Sequence, residues 1–306
     1  MTEISAIPIC VAVAEQGSFA AAARSLGITK SAVSKRIGGL EAHLGTKLFH
    51  RSTRNISLTE AGEIYLAHAV QALGAAREAE DAVAALQGEP VGHLKLSVPM
   101  SFGQLHVAPA LPEFLRLHPG VTLELSMDDR VTDLVETGMD LALRAGTLPD
   151  SALIARRLAP IHSVLVAAPD YLRKSGMPRH PQELVQHDCL HYAYSRDPQE
   201  WRFLAEVGEI TVRTRGRFRV NNSEALCTTL LAGLGIGRLP SFIAGSHLAA
   251  GRLTRVLPDF AMPAQALYAV FPERQYVPAK VRAFIDFFAA RVGQTHPYWD
   301  VEAGLS

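Results

Sequence analysis

The sequence predicts an α/β protein with an all-α-rich N-terminal winged helix-turn-helix and a long linker helix. Two short helical segments with a tight turn between them occupy residues 18–45. An alanine- and glutamate-rich segment at about 60–87 has helical periodicity and no strong breaker. From residue 91 onward, strand-like and helix-like segments alternate as βαβ units require.

Composition limits the class of protein. The chain has 306 residues, longer than one average domain, and with 48% hydrophobic and 20% charged residues it can form sizeable cores. Its three cysteines are too few for a disulfide framework. We see neither an export leader nor an apolar run of bilayer length, and we therefore expect a cytoplasmic protein without a membrane partner.

Charge is unevenly placed along the chain although the net charge is zero. Residues 24–54 hold seven Lys or Arg against one acid, whereas residues 55–92 hold one Arg against six acids. A basic block of this kind indicates nucleic-acid contact, which the total charge conceals.

The basic block has the sequence signals of two joined helices. Ser18 is a good N-cap for the alanine-rich helix that follows, and Gly27 ends that helix. Thr29 can cap the second helix with its hydroxyl. The first helix of the chain is predicted at 4–15, with Ser5 as its cap and Pro8 in its opening turn.

The second helix of the pair is amphipathic. Its apolar residues are spaced by four, three and four, which buries one stripe: Val33, Ile37, Leu40 and Leu44. The opposite face has small hydroxyls and cations, which suit the DNA major groove: Lys30, Ser31, Ser34, Lys35 and Arg36. An ordinary solvated basic helix is the alternative, but the preceding helix and glycine turn favour a DNA-binding pair.

The segment 48–58 alternates loosely and is predicted to be a β-wing, with Arg51 and Arg54 placed to meet phosphates or a narrow minor groove. A solvated hairpin is the alternative. Thr59 then caps a long helix, about 60–87, whose apolar seam predicts dimerisation through a partner helix. Gly88-Glu89-Pro90 ends this helix and marks a hinge.

Beyond the hinge, strands are predicted at 92–100, 121–127, 140–144, 155–168, 210–220 and 266–271. Helices are predicted at 101–117, 130–137, 223–232 and 281–292. The glycine-rich segment 233–237 is predicted to form a turn that leads into residues 238–240.

Residues 17–62, from G-S-F-A-A-A-A-R to L-T-E-A-G, resemble the winged helix-turn-helix of LysR-type transcriptional regulators. The motifs D-L-A-L-R-A-G (140–146), A-A-P-D-Y-L (167–172), A-G-L-G-I-G-R-L-P (232–240) and G-R-L (251–253) resemble the effector domain of that family. Two departures stand out: Cys10 replaces a larger apolar residue, and Gly38-Gly39 replaces better helix formers at roughly 1 kcal/mol each.

The resemblance implies a ligand-responsive, sequence-specific DNA-binding transcriptional regulator that acts as a homo-oligomer. It implies a DNA-binding domain at 1–59, a linker helix and hinge at 60–90, and an effector-binding domain at 91–306. The last is expected to be a two-lobed, periplasmic-binding-protein-like (type 2) fold, with lobe one at about 91–161 and 269–296 and lobe two at about 162–268. An effector bound between the lobes would close them and change subunit spacing on DNA.

For DNA, we expect Ser31, Ser34 and Lys35 to contact base edges or adjacent backbone. Lys30, Arg36, Arg51 and Arg54 are predicted to contact phosphates. Ser18 and Thr29, at the starts of the two helices, complete the predicted DNA-contact set. RNA polymerase is a further expected partner, and the oligomer could be a dimer or a tetramer.

For the effector, ligands of open α/β sheets bind beyond the carboxyl ends of strands. This places Met100, Ser101 and Phe102 at the site, with Ser101 as the cap of a helix whose free N–H groups attract anions. Asn222 and Ser223 hold the corresponding place before another helix. Arg144 could pair with a carboxylate of an anionic or aromatic effector, or form a structural salt bridge, and the sequence leaves both open.

Other classes of function have weaker support. A solute-binding protein would need an export signal and no DNA-binding head. For an enzyme we find no nucleophile–base motif, phosphate loop, cofactor fingerprint or metal-ligand spacing, so neither cofactor nor metal is expected. His187, Cys189 and His191 have the residue types of a metal site without its spacing, and Cys189 and Cys227 could be a redox pair or inert core residues.

Overall fold

The computed structural model describes residues 4–51, 56–85, 89–130, 133–146, 153–195, 197–205, 208–272, 277–293, 295–302 and 304–305. The chain divides into two compact units, and each has its own hydrophobic core. The N-terminal unit comprises Met1–Gly88 with Asp133–Gly138, and the second unit comprises Glu89–Thr132 with Met139–Ser306.

The N-terminal unit is a helical bundle with a small wing. A 3₁₀ turn at Ile4–Ala6 precedes α1 (Ile7–Gln16), α2 (Phe19–Ser25), α3 (Lys30–Leu44), β1 (Phe49–Arg51), β2 (Ile56–Leu58) and α4 (Glu60–Ala85). Strands β1 and β2 pair antiparallel, as a wing requires. The predicted winged helix-turn-helix and the long helix after it are therefore confirmed.

Local signals explain where these helices begin. The Ser18 hydroxyl accepts a hydrogen bond from the Ala21 amide at 3.4 Å, and Thr29 accepts one from the Ala32 amide at 3.2 Å. Both predicted caps are confirmed. The predicted Ser5 cap is wrong, because the 3₁₀ turn moves the N-cap of α1 to Ala6, which has no side-chain bond.

The buried stripe of α3 is shorter than the sequence predicted. Val33, Ile37 and Leu40 are buried, but Leu44 is 40% exposed. Leu44 lies in the last helical turn, where Gly45 at φ 68° turns the chain away from the helix axis. The stripe therefore ends one turn early.

The second unit consists of two α/β lobes. Lobe one begins with β3 (Gly92–Val98), α5 (Met100–Phe102), α6 (Leu111–Leu117), β4 (Val121–Met127), β5 (Leu141–Gly146) and β6 (Leu153–Ile161). Lobe two contains β7 (Ser163–Ala167), α7 (Pro169–Ser175), β8 (Cys189–Tyr192), β9 (Glu200–Leu204), β10 (Glu209–Arg213), β11 (Arg219–Val220), α8 (Ser223–Leu231), β12 (Ile236–Pro240), α9 (Ser241–Ala249) and β13 (Thr254–Val256). The chain ends with β14 (Gln265–Pro272), α10 (Ala279–Val292) and α11 (Tyr298–Glu302).

Each lobe has one five-stranded sheet. In lobe one the strand order is β4-β3-β5-β14-β6, and in lobe two it is β11-β8-β12-β7-β13, with β9 and β10 as a separate hairpin. The chain passes from one sheet to the other at His162 and returns before β14. The predicted two-lobed fold with two crossings is therefore confirmed.

Several predicted elements differ in the structure. The helix predicted at 130–137 is wrong over its described part, because 133–138 forms turns in which the Asp133 carboxylate accepts the Val135 and Glu136 amides at 2.8 and 3.1 Å. The helix predicted at 101–117 is split by a π segment at Gly103–Val107 and a 3₁₀ turn at Ala108–Ala110. This break agrees with the prolines in the segment.

Other differences concern strands and short helices. The strand predicted at 155–168 is two strands, β6 and β7, and the one predicted at 210–220 is β10 and β11, joined by the irregular residues 214–218. The glycine turn predicted at 233–237 ends early, because the central strand β12 already begins at Ile236. Helices α7, α9 and α11 were not predicted. None of the helices in the described part of the chain has the length and hydrophobicity needed to cross a bilayer.

Candidate nucleic-acid interface and ligand site

The outer face of α3 is open to solvent. Lys30, Ser31 and Lys35 are exposed and Ser34 is half-buried. The hydroxyls of Thr29 and Ser31 are 3.0 Å apart, which orders the first turn of the helix. Because Val33 and Ile37 are completely buried on the other side, this face cannot rotate away from the surface.

Not every predicted contact residue is equally available. An Arg36 Nη1 atom lies 3.5 Å from the Ser5 carbonyl oxygen, so this side chain leans toward the N-terminal 3₁₀ turn. The Ser18 hydroxyl is engaged in the cap of α2. Arg51 lies in β1 but its side chain is outside the described part of the chain, and Arg54 lies outside the described residues.

Glu41 is a site residue that the sequence analysis missed. It is only 2% exposed, and its carboxylate accepts the Leu48 and Phe49 amides at 3.1 and 3.4 Å. It also pairs with Lys47 at 2.8 Å. Glu41 thereby fixes the first wing strand to α3. Its position four residues after Ile37, on the apolar stripe, is the sequence signal that could have revealed it.

The wing is also joined to α4. The Thr59 hydroxyl donates to the Lys47 carbonyl at 2.6 Å and accepts the Gly62 amide at 3.0 Å, which confirms the predicted cap. A Cβ atom on Gly62 would lie 2.1 Å from the Leu48 carbonyl oxygen. Only glycine therefore allows α4 to start this close to the wing.

In the second unit, the predicted Ser101 cap of α5 is wrong. The N-cap of α5 is Pro99, not Ser101, and the Met100 amide donates to the Asp129 carboxylate at 2.9 Å. An acidic side chain thus already occupies the helix start. Met100 is 36% exposed, whereas Ser101 is 4% exposed and its hydroxyl has no hydrogen-bond partner among the described residues.

Phe102 is completely buried and belongs to an aromatic cluster. Its ring centre lies 5.1 Å from those of His106 and Phe242 and 5.7 Å from that of Trp299. Phe242 lies in α9 and Trp299 in α11, so the cluster joins both lobes to the C-terminal helix.

Arg144 is the strongest ligand candidate. One Nη atom donates to the Ser97 hydroxyl at 3.1 Å and to the Leu143 carbonyl at 3.3 Å. The other Nη atom is buried without a partner, and Arg144 forms no ion pair within the described residues. The salt-bridge alternative is therefore not what this part of the structure shows. Burial lowers the pKa of Arg144, and the nearby carboxylate of Asp128 opposes that shift.

The lobe-two residues are placed differently. The Asn222 side chain caps α8 by accepting the Ala225 amide at 2.8 Å, and Ser223 is half-buried. Their neighbour Asn221 donates to the Tyr194 hydroxyl at 3.2 Å, and Arg130 of lobe one donates to the same oxygen at 3.4 Å. This contact between lobes was not foreseen, because it joins residues 64 positions apart.

The cysteines and histidines of lobe two form no reactive centre in the described part of the chain. Cys189 and Cys227 are buried thiols that form no disulfide, and burial raises their pKa to about 12 and about 11. No group of three or more His, Cys, Asp or Glu side chains is arranged to hold a metal ion among the described residues.

Comparison with known proteins finds relatives for nearly the whole length of the chain. Residues 4–63 match the family described as bacterial regulatory helix-turn-helix protein, lysR family, and residues 87–293 match the LysR substrate binding domain. The HTH-type transcriptional regulator PtxR of Pseudomonas aeruginosa is 39% identical over 286 residues, 93% of this chain and 91% of the relative.

Solved structures agree over the same span. The full-length Vibrio cholerae virulence activator AphB is 28% identical with a TM-score of 0.62, covering 94% of this chain and 98% of that one. CrgA from Neisseria meningitidis, a LysR-type transcriptional regulator, is 32% identical with a TM-score of 0.62, covering 95% and 99%. This chain therefore belongs to the LysR family of helix-turn-helix transcriptional regulators.

Proposed function

We propose that this regulator reads duplex DNA with the outer face of α3, and that the wing adds backbone contacts. Ser31, Ser34 and Lys35 reach base edges or adjacent backbone, and the cations Lys30, Arg36, Arg51 and Arg54 neutralise phosphates. The observation that carries this proposal is the open cationic face of α3, which lies opposite the completely buried Val33 and Ile37. A bacterial DNA partner also favours a cytoplasmic location.

Two substitutions separate the two kinds of DNA contact. Arg51→Ala should lower the affinity equally for the preferred binding sequence, selected from random duplexes, and for random DNA. It should also reduce the slope of log binding constant against log salt concentration by about 0.9. Ser34→Ala should change the preferred sequence while leaving the slope unchanged. Fluorescence polarisation on both duplexes measures these effects, and equal losses from both substitutions on every sequence would refute this division of roles.

The long helix supports self-association. Ile64 and Val83 of α4 are 60% and 63% exposed, and such side chains favour a partner helix. A dimer would present its recognition helices to half-sites about 34–36 Å apart or a multiple of that distance. Ile64→Glu should shift the sedimentation coefficient toward the monomer and weaken DNA binding.

The proposed domains are a DNA-binding domain at 1–59, a linker helix and hinge at 60–90, and an effector-binding domain at 91–306.

The ligand proposed for the second unit is a small anion that pairs with the free Nη atom of Arg144 and accepts from the Ser101 hydroxyl. Buried hydrogen-bonding atoms without partners are costly, so a ligand that satisfies them stabilises the fold. Met100 begins α5 in lobe one, Asn222 and Ser223 stand at the start of α8 in lobe two, and Phe102 anchors α5 in the aromatic cluster. The anion closes the lobes and changes the geometry on DNA by shifting the equilibrium between the open and closed states. The size of that shift is set by the difference between its affinities for the two states.

The ligand test uses the full chain and a panel of small aliphatic and aromatic carboxylates. One of them should raise the unfolding temperature, and Arg144→Lys and Ser101→Ala should each diminish that shift. Exposed Arg156, which pairs with Asp286 at 2.6 Å, supplies the control substitution Arg156→Lys. If no carboxylate stabilised the wild type, the anionic ligand class would be wrong. No catalytic step is proposed, and contact with RNA polymerase stays a prediction.

A further inference from the structure

A row of arginines on lobe two has no role in the sites described above. Residues 210–223 contain no acid, and four arginines alternate within them: Arg213, Arg215, Arg217 and Arg219. All four are exposed, whereas Thr214 between them is 1% exposed and Phe218 is half-buried. We call these four residues the arginine ridge.

The backbone beneath the ridge is held in place. The Cys189 amide donates to the Arg215 carbonyl at 2.7 Å, and the His191 amide donates to the Phe218 carbonyl at 3.1 Å. The Thr214 hydroxyl lies 2.9 Å from both the His191 ring and the Gln199 carbonyl. A Cβ atom on Gly216 would lie 1.7 Å from the Cys189 carbonyl oxygen, so the link packs tightly along β8. The ridge therefore stands on a rigid support.

The ridge differs from other surface arginines of the same unit. Arg156, Arg173 and Arg291 are each held by a carboxylate, at 2.6, 2.5 and 2.7 Å. Arg213, Arg215 and Arg217 form no side-chain ion pair or hydrogen bond within the described residues. Glu200 lies opposite Arg213 in the hairpin, but its carboxylate is taken by Arg202 at 2.6 Å. Only Arg219 is engaged in this part of the structure, donating to the Ala193 carbonyl at 3.0 Å.

We propose that the arginine ridge is a second DNA contact, which binds the phosphate backbone of duplex flanking the sequence held by α3. This inference rests on the proposed function. The four exposed arginines lie within seven residues of one another, so they form one concentrated patch of positive charge that suits the dense negative charge of a duplex backbone. The planar guanidinium fork matches phosphate oxygens better than an ammonium does.

DNA is favoured over an acidic protein because duplex DNA is the ligand already proposed for α3, and its backbone carries a dense row of negative charges. A ridge contact to the duplex that α3 already holds is a contact within one complex, not a second binding event between separate molecules. Weak contacts that would fail between separate molecules then contribute to affinity. Charged side chains can also protect a sheet edge from pairing with another strand, but that role predicts no change in DNA affinity.

The test compares two duplexes that contain the same selected site. One ends at the site, and the other extends by about two helical turns on each side. Full-length wild type should bind the extended duplex more tightly, with a steeper salt dependence. The variant R213A/R215A/R217A should lose this advantage, and its slope on the extended duplex should fall by about 0.9 for each phosphate that is no longer neutralised. On the short duplex the variant should equal the wild type.

Two further variants control for charge and for shape. R156A/R173A/R291A removes the same number of positive charges from carboxylate-paired positions, and it should behave as wild type on both duplexes. R213K/R215K/R217K keeps the charge and should keep most of the salt slope. An unchanged unfolding temperature for each variant shows that the fold is intact.

Three outcomes would overturn the role of the arginine ridge in DNA binding, and a fourth would refute the proposed function itself. Equal behaviour of R213A/R215A/R217A and wild type on the extended duplex would overturn the proposal, as would an equal loss on both duplexes. Unchanged DNA binding with reduced transcription in a reconstituted assay would assign the ridge to an acidic protein surface instead. If wild type bound neither duplex, the proposed function would fail, independently of the ridge.

Discussion

The two units place their functional groups in opposite ways. On α3 the core residues and the proposed contact residues occupy opposite sides of one helix, with Ile37 completely buried and Lys35 exposed. In the second unit the candidate ligand groups Ser101 and Arg144 have buried polar atoms within the fold itself. Binding and stability are therefore separable on α3 and coupled at the ligand site.

The largest expected effect is at Glu41, a polar side chain of α3 that is buried in the DNA-binding unit. Glu41→Ala removes a buried acceptor from two backbone amides, and we expect a loss of about 3 kcal/mol in unfolding free energy. Lys47→Ala removes the exposed partner of the same ion pair, and should cost less than about 1 kcal/mol. Urea denaturation measures both, and similar losses would show that the ion pair matters more than the amides.

At the ligand site, removing the unsatisfied group should stabilise the protein. Arg144→Met eliminates a buried guanidinium, one Nη atom of which has no partner among the described residues, and should raise the unfolding free energy of the ligand-free chain by about 1 kcal/mol. The same substitution should abolish any shift caused by a carboxylate ligand. A destabilised variant would mean that the bond to Ser97 outweighs burial, and would weaken the coupling of binding and stability.

A pH dependence of stability should come from His106 in the aromatic cluster. Burial lowers its pKa below the ordinary 6.5, and its ring bonds the Phe242 carbonyl and the Tyr298 hydroxyl. The unfolded chain therefore binds this proton first, so stability present above pH 6.5 is lost as pH falls from there toward the folded-state pKa.

The measurement is the unfolding free energy of wild type and His106→Gln at about pH 7.5 and about pH 5.5. The wild type should lose more than the variant over this range, by at most about 1.4 kcal/mol per unit of pKa shift. Parallel losses would assign the acid sensitivity to other histidines with a lowered pKa, such as His187 and His247.

The smallest effect should be a gain in the recognition helix. A Cβ atom on Gly38 meets no atom within 4 Å, so Gly38→Ala should add about 0.5–1 kcal/mol of stability. Gly62→Ala is the matched contrast, since its Cβ would clash with the Leu48 carbonyl. Thermal unfolding of both should give shifts of opposite sign. A lower unfolding temperature for Gly38→Ala would contradict the prediction and would mean that this position requires glycine.

The success of the sequence predictions follows the range of the interactions involved. The caps at Ser18 and Thr29 depend on atoms three residues away, and both were predicted correctly. Strand β12 was not predicted, and its first residues were assigned to a glycine turn at 233–237, because its two neighbours in the sheet, β7 and β8, lie far from it in sequence. The helix predicted at 130–137 failed where the Asp133 side chain competes for backbone amides, which periodicity does not report.

By itself, the sequence determined the amphipathic face of α3, the wing, the long helix and the alternating α/β order, because each is encoded in local spacing and capping. Only the tertiary structure decided which buried groups lack a hydrogen-bond partner among the described residues, as at Arg144. It also decided which polar groups are bonded within the protein, as are the Glu41 carboxylate and the Met100 amide. The physical reason is that hydrogen-bond satisfaction depends on segments brought together by folding, whereas helix faces depend on neighbours three and four residues away.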